Sequence, residues 1–255
     1  MPRDLLGLAG KRALVTGGSR GIGSATAVMF ADAGVDVVIG YRSRAADADA
    51  VVAECRKRGV RSAAIAADIS TRAGAEQLVE GALRELGGLD FFVANAGIWP
   101  PHGVSVANMD DEQWLRTMRE NVDSMFYTAR AVSRVLADHG RVVMVSSTAG
   151  QRGEADHADY AASKGAMISM VKSLCIELAP RDITVNSVAP GWVDTEMAAI
   201  PYADGGRERI SKNIPIGRVA SADDIAGPIV FLCSPLARHI TGEIVNVNGG
   251  SVLCG

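Results

Sequence analysis

What this sequence lacks narrows the field before anything it contains. Charge of one sign is missing: the formal net charge is −3 over 255 residues, and no extended basic cluster offsets it. The electrostatic footprint of a nucleic-acid binder is therefore absent. The cysteines at 55, 175, 233 and 254 include no CxxC pair, and His102, His139, His157 and His239 are equally scattered. Neither set has metal-ligand spacing, so no metal site is expected, and the thiols are read as reduced, which points to a cytoplasmic chain. Long hydrophobic runs are missing too. Leu5, Leu6 and Leu8 make only a brief apolar patch before Lys11 and Arg12, too short for a signal segment or a membrane span. With no linker, repeat or low-complexity segment, one domain over 1–255 is expected. What is present is a balance of 48% hydrophobic and 22% charged residues, enough to bury the core of an α/β domain.

Apolar runs alternate with helical periodicity along the chain. Ala13-Leu14-Val15 leads into Thr16-Gly17-Gly18-Ser19-Arg20-Gly21-Ile22-Gly23 and then into a helical pattern from Ala25 to Ala31. Strand, glycine turn and helix in that order bring backbone close to a pyrophosphate at a helix N-terminus, although such a turn alone is equally a plain loop. A second strand, Val35 to Gly40, ends at Tyr41-Arg42-Ser43 with no acidic residue where an adenosine ribose would be held. Arg42, with Arg20 from the glycine turn, instead suits a 2′-phosphate and hence NADP(H). Two charge-assisted contacts of about 1.5–3 kcal/mol each separate it from NAD(H) by a hundredfold or more. The plain alternative for either arginine is a solvated side chain.

A helix over about 45–58, a strand over 61–66 and a helix over about 71–86 follow. Asp68, beside Ile69, either accepts from an adenine amino group or caps the next helix together with Ser70. The strand Leu89 to Ala94 then reaches Asn95-Ala96-Gly97. This alternation predicts a doubly wound parallel sheet of about seven strands, a Rossmann fold with helices on both faces and ligands at the strand C-termini. The cofactor half covers about 1–150 and the catalytic and substrate half about 141–255.

Asp110-Asp111-Glu112 opens a helix expected to run to about Ala137, with Asn121, a poor helix former, in its middle as either surface polarity or a functional group. The run Arg141 to Val145 ends at Ser146-Ser147, and thirteen residues beyond Ser147 come Tyr160 and then Lys164. On a helix that four-residue spacing stacks phenol and ammonium on one face. Lowering a phenol by about three pKa units needs roughly 4 kcal/mol, and one cation about 5 Å away at an effective dielectric near 20 supplies on the order of 3 kcal/mol. The spacing predicts a phenol acidified by Lys164, with Ser147 placed to hold a carbonyl beside it; a solvated Tyr and Lys pair is the ordinary alternative. A buried strand, Ile183 to Ala189, ends at Pro190-Gly191-Trp192-Val193-Asp194-Thr195. The irregular stretch 192–215, with one short helix, is a candidate lid.

Together these residues resemble the short-chain dehydrogenase/reductase family along nearly the whole chain. Thr16 to Gly23 is similar to its cofactor turn, Asn95-Ala96-Gly97 to its mid-sheet motif, and Asn121, Ser147, Tyr160 and Lys164 to its catalytic tetrad. Pro190-Gly191, Val193 and Thr195 are similar to its nicotinamide-contacting segment. Ala94 and Asn248 depart from it, standing where a first asparagine and an aspartate are common. The resemblance implies hydride transfer at a nicotinamide, with Ser147 and Tyr160 on the substrate carbonyl and Tyr160 as proton donor. It implies Lys164 on the nicotinamide ribose, and Asn121 holding a water that links Lys164 to solvent. A homotetramer is also implied, built on the helices around 111–137 and 159–179 and the C-terminal strand.

Within the family the chain looks most like 3-oxoacyl-(acyl-carrier-protein) reductases and other NADPH ketoreductases. The carrier-protein enzymes tend to be Lys/Arg-rich where this chain reads Leu136-Ala137-Asp138-His139-Gly140, with only Arg141 and Arg181 nearby. An acyl carrier protein is therefore a disfavoured partner. The candidate substrate residues are Trp99, Pro100, His102, Glu154 to His157, Trp192, Met197 and Tyr202, each of them equally a packing or lid residue. Their mixture of aromatic surface and acidic groups suits a cyclic or aromatic ketone bearing hydroxyls. The same motifs would also serve an NAD-dependent alcohol dehydrogenase or a non-catalytic dinucleotide sensor, although a sensor would be expected to lose the Tyr or Lys retained here.

Overall fold

Each apolar run becomes a strand and each amphipathic stretch a helix in the computed structural model, which describes residues 5–253. The first four residues of the N-terminal stretch, and Cys254, lie outside them. The strands are β1 (Arg12–Thr16), β2 (Asp36–Tyr41), β3 (Ser62–Ala66), β4 (Phe91–Ala94), β5 (Arg141–Val145), β6 (Thr184–Pro190) and β7 (Ile244–Val247). They form one parallel sheet in the order β3-β2-β1-β4-β5-β6-β7. The helices are α1 (Gly21–Asp32), α2 (Ala45–Arg56), α3 (Arg72–Leu86), α4 (Asp111–Met118), α5 (Ser124–Ser133), α6 (Thr148–Arg152), α7 (Ala158–Leu178), α8 (Ala199–Tyr202), α9 (Gly206–Lys212) and α10 (Ala222–Cys233).

The inner strands β1, β4 and β5 carry no polar face because both of their faces are covered. In β5, Val143 and Val145 pack with Phe30, Ile39 and Ile225 on one side, while Val142 and Met144 pack with Met125, Leu136 and Val171 on the other. Winding outward from β1 to β3 and then back to β4 leaves a crevice between the C-terminal ends of β1 and β4, where such sheets bind ligands.

Three expectations need correction. The helix expected to run unbroken to Ala137 is α4, a π-helical turn over Arg119–Asp123, and α5, which stops at Ser133. Arg181 terminates it by donating to the carbonyls of Ser133 and Leu136. Asn121 lies in the π turn, a widened ring common at functional sites. A short helix absent from the expectation, α6, begins directly after Ser147, whose Oγ accepts from Ala149 N at 3.1 Å as its N-cap. The stretch 192–215 holds two short helices, α8 and α9, instead of one. Among the described residues no helix is long and apolar enough to cross a membrane, and Cys55, Cys175 and Cys233 are free thiols.

Candidate active site

The glycine turn is shaped by the protein before any ligand enters. Asn95 Nδ2 donates to the Thr16 and Gly17 carbonyls at 3.0 and 3.2 Å, and Thr16 Oγ1 accepts from the backbone of Asn95 and Ala96. This stitches the end of β1 to the end of β4. A side chain at Gly23 would place its Cβ 2.3 Å from Gly17 O and 2.6 Å from Asn95 Nδ2, so Gly23 serves this packing and stands outside the cleft. Gly17 and Gly21, with φ of 64° and 55°, adopt the left-handed conformation that glycine takes without strain.

All the other expected cofactor residues line one cleft of about 490 Å³: Gly17, Ser19, Arg20, Gly21 and Ile22 from the turn, Tyr41 at the end of β2 with Arg42 and Ser43 after it, Asp68 and Ile69 after β3, Asn95, Ala96 and Gly97 after β4, Pro190 at the end of β6 with Gly191, Val193 and Thr195 after it, and Tyr160 with Lys164. At the end where an adenosine is expected, Asp68 accepts from the backbone and hydroxyl of Ser70, at 3.1 and 2.7 Å, and these bonds hold its carboxyl low. The helix cap itself is Thr71, whose hydroxyl accepts from Gly74 N, which corrects the capping role expected for Asp68 and Ser70. Arg42 is ion-paired with Glu120, and Arg20 with Glu196. Arg44, a cleft residue that sequence reasoning missed, reaches the same Glu196 at 2.9 Å and Asp47 at 3.3 Å. Only the spacing of Arg44 two residues beyond Arg42 hinted at it.

At the other end, β5 and α7 bring Ser147, Tyr160 and Lys164 together in the cleft, and the π turn places Asn121 against α7 just behind its lining. Lys164 Nζ donates to Val145 O at 2.8 Å and lies 5.8 Å from the centroid of the Tyr160 ring. Burial pushes the Tyr160 phenol up to about 12, against a weaker opposing hydrogen bond from Ser147, and pushes the Lys164 ammonium down to about 8. The acidified phenol expected from the spacing is thus not a property of the protein by itself. The Coulomb argument left out desolvation, which disfavours the charged form of both groups.

Asn121 is buried, and its amide spans two elements. Nδ2 donates to Ile98 O at 2.9 Å and Ser163 Oγ at 3.0 Å, while Oδ1 accepts from Ile98 N at 2.7 Å. Both amide hydrogens are used on protein acceptors, so the side chain clamps the loop after β4 onto α7 beside Lys164.

Beyond Tyr160 the cleft is walled by Trp99, Trp192 and Met197. Trp99 stacks on His157 with centroids 4.7 Å apart and meets Trp192 edge-on at 6.2 Å. Tyr202 packs behind Trp192 at 5.9 Å and does not line the cleft. His102 is exposed and outside it. Glu154 does line it; burial raises its carboxyl, and His157 Nδ1 is 3.8 Å away. Arg141, expected near the mouth, is buried at the start of β5, the end opposite Ser147, where it donates to the carbonyls of His139, Gly140 and Asp182. Arg181 lies at that same end, paired with Asp138.

Comparisons with known proteins agree with this geometry. A family model described as enoyl-(acyl carrier protein) reductase matches residues 17–251. A 3-oxoacyl-[acyl-carrier-protein] reductase of Synechocystis is 37% identical over 94% of this chain and 96% of its own length. An L-rhamnose 1-dehydrogenase (NAD(P)(+)) of Azotobacter vinelandii is 36% identical over 94% and 96%. Among solved structures, a promiscuous reductase that catalyses keto-reduction at C1 during lugdunomycin biosynthesis superposes with a TM-score of 0.90, at 33% identity and over 96% and 99% of the two chains. The chain belongs to the short-chain dehydrogenase/reductase family, oxidoreductases that act on CH–OH and C=O groups.

Proposed function

We propose that the protein is an NADPH-dependent ketoreductase that reduces a cyclic or aromatic ketone bearing hydroxyl groups to a secondary alcohol. One observation carries the substrate reading: next to Tyr160 the cleft is walled by Trp99 and Trp192 and holds the largely buried carboxyl of Glu154. Flat apolar surface suits a ring, and a buried carboxyl suits a hydroxyl donor and opposes an anionic substrate.

The residues fit a nicotinamide dinucleotide. Positive-φ glycines face the cleft at one end, guanidinium groups follow β2, and Tyr160 and Lys164 stand at the other end. When bound, the dinucleotide supplies hydride from nicotinamide C4 to the carbonyl carbon. Ser147 and Tyr160 hold the carbonyl oxygen, and the Tyr160 hydroxyl gives its proton to the developing alkoxide. Burial keeps that proton on the phenol until an alkoxide, a far stronger base, forms beside it. Lys164 stabilises the phenolate left behind, which then regains a proton from solvent.

A 3-oxoacyl-(acyl-carrier-protein) reductase is the second reading, supported by the name of the Synechocystis relative. Against it, the stretch Leu136 to Gly140 is poor in lysine and arginine, and Arg141 and Arg181, the two cations near it in sequence, lie at the far end of β5. Turnover of a 3-oxoacyl thioester, a hydroxylated bicyclic ketone and a simple diketone, each with NADPH and with NADH, decides between the readings. Preference for the bicyclic ketone with NADPH is expected, and preference for the thioester would overturn it. Exposed Trp114, Leu115 and Phe126 on α4 and α5, with Ile176 on α7, fit the expected homotetramer on these helices, in a cytoplasmic enzyme.

A further inference from the structure

Glu196 stands where the chain leaves β6 for the lid, directly after Thr195. The root of the lid is already seated on the glycine turn, since a Cβ on Gly21 would lie 3.3 Å from Thr195 Cγ2. From there the Glu196 carboxylate joins two cations that are far apart in sequence, Arg20 of the glycine turn and Arg44 at the start of α2. Arg44 is shared with Asp47 at 3.3 Å, and Arg42 close by is paired with Glu120 and also feels Asp68. All of these side chains except Asp47 line the adenosine end of the cleft.

An oxyanion held between two guanidinium groups is the arrangement that recognises a phosphate. We propose that Glu196 sets the cleft's selectivity for a dinucleotide 2′-phosphate by occupying the Arg20 and Arg44 guanidiniums, so that a phosphate must displace it and a ribose 2′-hydroxyl need not. This rests on the NADPH reading above. Without Glu196, Arg44 keeps its pair with Asp47 while Arg20 loses its carboxylate, and the cluster carries a net positive charge toward the ligand. With it, the four groups are neutral, and the phosphate gains only the difference between its own contacts and those of the carboxylate. The pairs are half-exposed to solvent, so the exchange is small in energy and reversible. Glu196 therefore grades selectivity without abolishing binding.

The test uses the whole chain and two probes that differ only in the phosphate in question, adenosine 2′,5′-bisphosphate and adenosine 5′-monophosphate. Their affinities are measured by isothermal titration calorimetry for the wild type, for Glu196→Gln and for Glu208→Gln. The last variant removes a lid carboxylate outside the cluster. The expected result is that Glu196→Gln binds the bisphosphate about three- to fivefold tighter, the size of one exposed ion pair, with monophosphate affinity unchanged and Glu208→Gln like the wild type. Weaker or unchanged bisphosphate binding by Glu196→Gln would overturn the proposal, and so would equal tightening of both probes or equal tightening in Glu208→Gln. A wild type that does not prefer the bisphosphate would overturn the NADPH reading. If Glu196→Gln then acquires a preference, the role of Glu196 stands on its own; if it does not, both fall.

Discussion

At the proposed adenosine end of the cleft Arg20, Arg42 and Arg44 are half-exposed and each already rests on a carboxylate, whereas at the proposed chemical end Tyr160 and Lys164 are buried and Lys164 donates to the neutral carbonyl of Val145. The first arrangement holds charge that water screens, so its ion pairs exchange partners at little cost. The second holds groups whose ionised forms are expensive, and that expense is what makes a proton transfer there sensitive to a charge or ligand brought beside them. Under the proposed function, selectivity and chemistry are thus separated along one cleft by solvent exposure.

The largest effect that sharpens this contrast is expected from Lys164→Met. Turnover should fall about a hundredfold or more, as when a proton-transfer partner is removed, while the fold becomes more stable at neutral pH. The sign follows from the depressed ammonium. Below pH about 8 the folded protein carries a buried charge whose burial costs on the order of 3 kcal/mol. That cost fades as pH rises toward 10.5, the ordinary lysine value. The gain in thermal midpoint over the wild type should therefore be greatest at pH 6–7, decline from about pH 8, and vanish only above the ordinary lysine value, by about pH 11. A variant less stable than the wild type at pH 6 would break the comparison.

Next in size, Arg42→Ala should lower the NADPH-to-NADH ratio of kcat/KM about tenfold, the worth of one charge-assisted contact, and leave the fold's stability within about 0.5 kcal/mol because the Arg42 and Glu120 pair is exposed on the arginine side. An unchanged ratio would mean that Arg42 is merely solvated. The smallest effect is expected from Glu154→Gln, which should raise KM for a hydroxylated ketone about threefold, one hydrogen bond's charge assistance, without altering KM for the same ring lacking the hydroxyl. Equal changes for both ketones would remove Glu154 from substrate recognition.

Much of the frame was legible because its signals are local. Parallel strands buried on both faces show as runs such as Val142-Val143-Met144-Val145, and the tetrad shows as order and spacing. What escaped was non-local or energetic. The π turn at Arg119–Asp123 keeps helical periodicity almost unchanged, so Asn121 reads as a misplaced helix residue until its amide is seen bound to Ile98 and Ser163. Glu196 and Arg44 are 152 positions apart and Glu120 and Arg42 are 78 apart, and no pattern in a single chain announces such pairs. Burial reversed the direction of the Tyr160 shift inferred from its spacing to Lys164. Desolvation depends on everything packed around a group, and sequence distance to one neighbour does not report it.

The most direct test of the account is hydride transfer by Tyr160→Phe, followed as NADPH oxidation with a hydroxylated cyclic ketone, with NADPH affinity titrated on the same preparation. The account predicts turnover lowered about 10³-fold or more at unchanged NADPH affinity. Turnover within a few-fold of the wild type would contradict it.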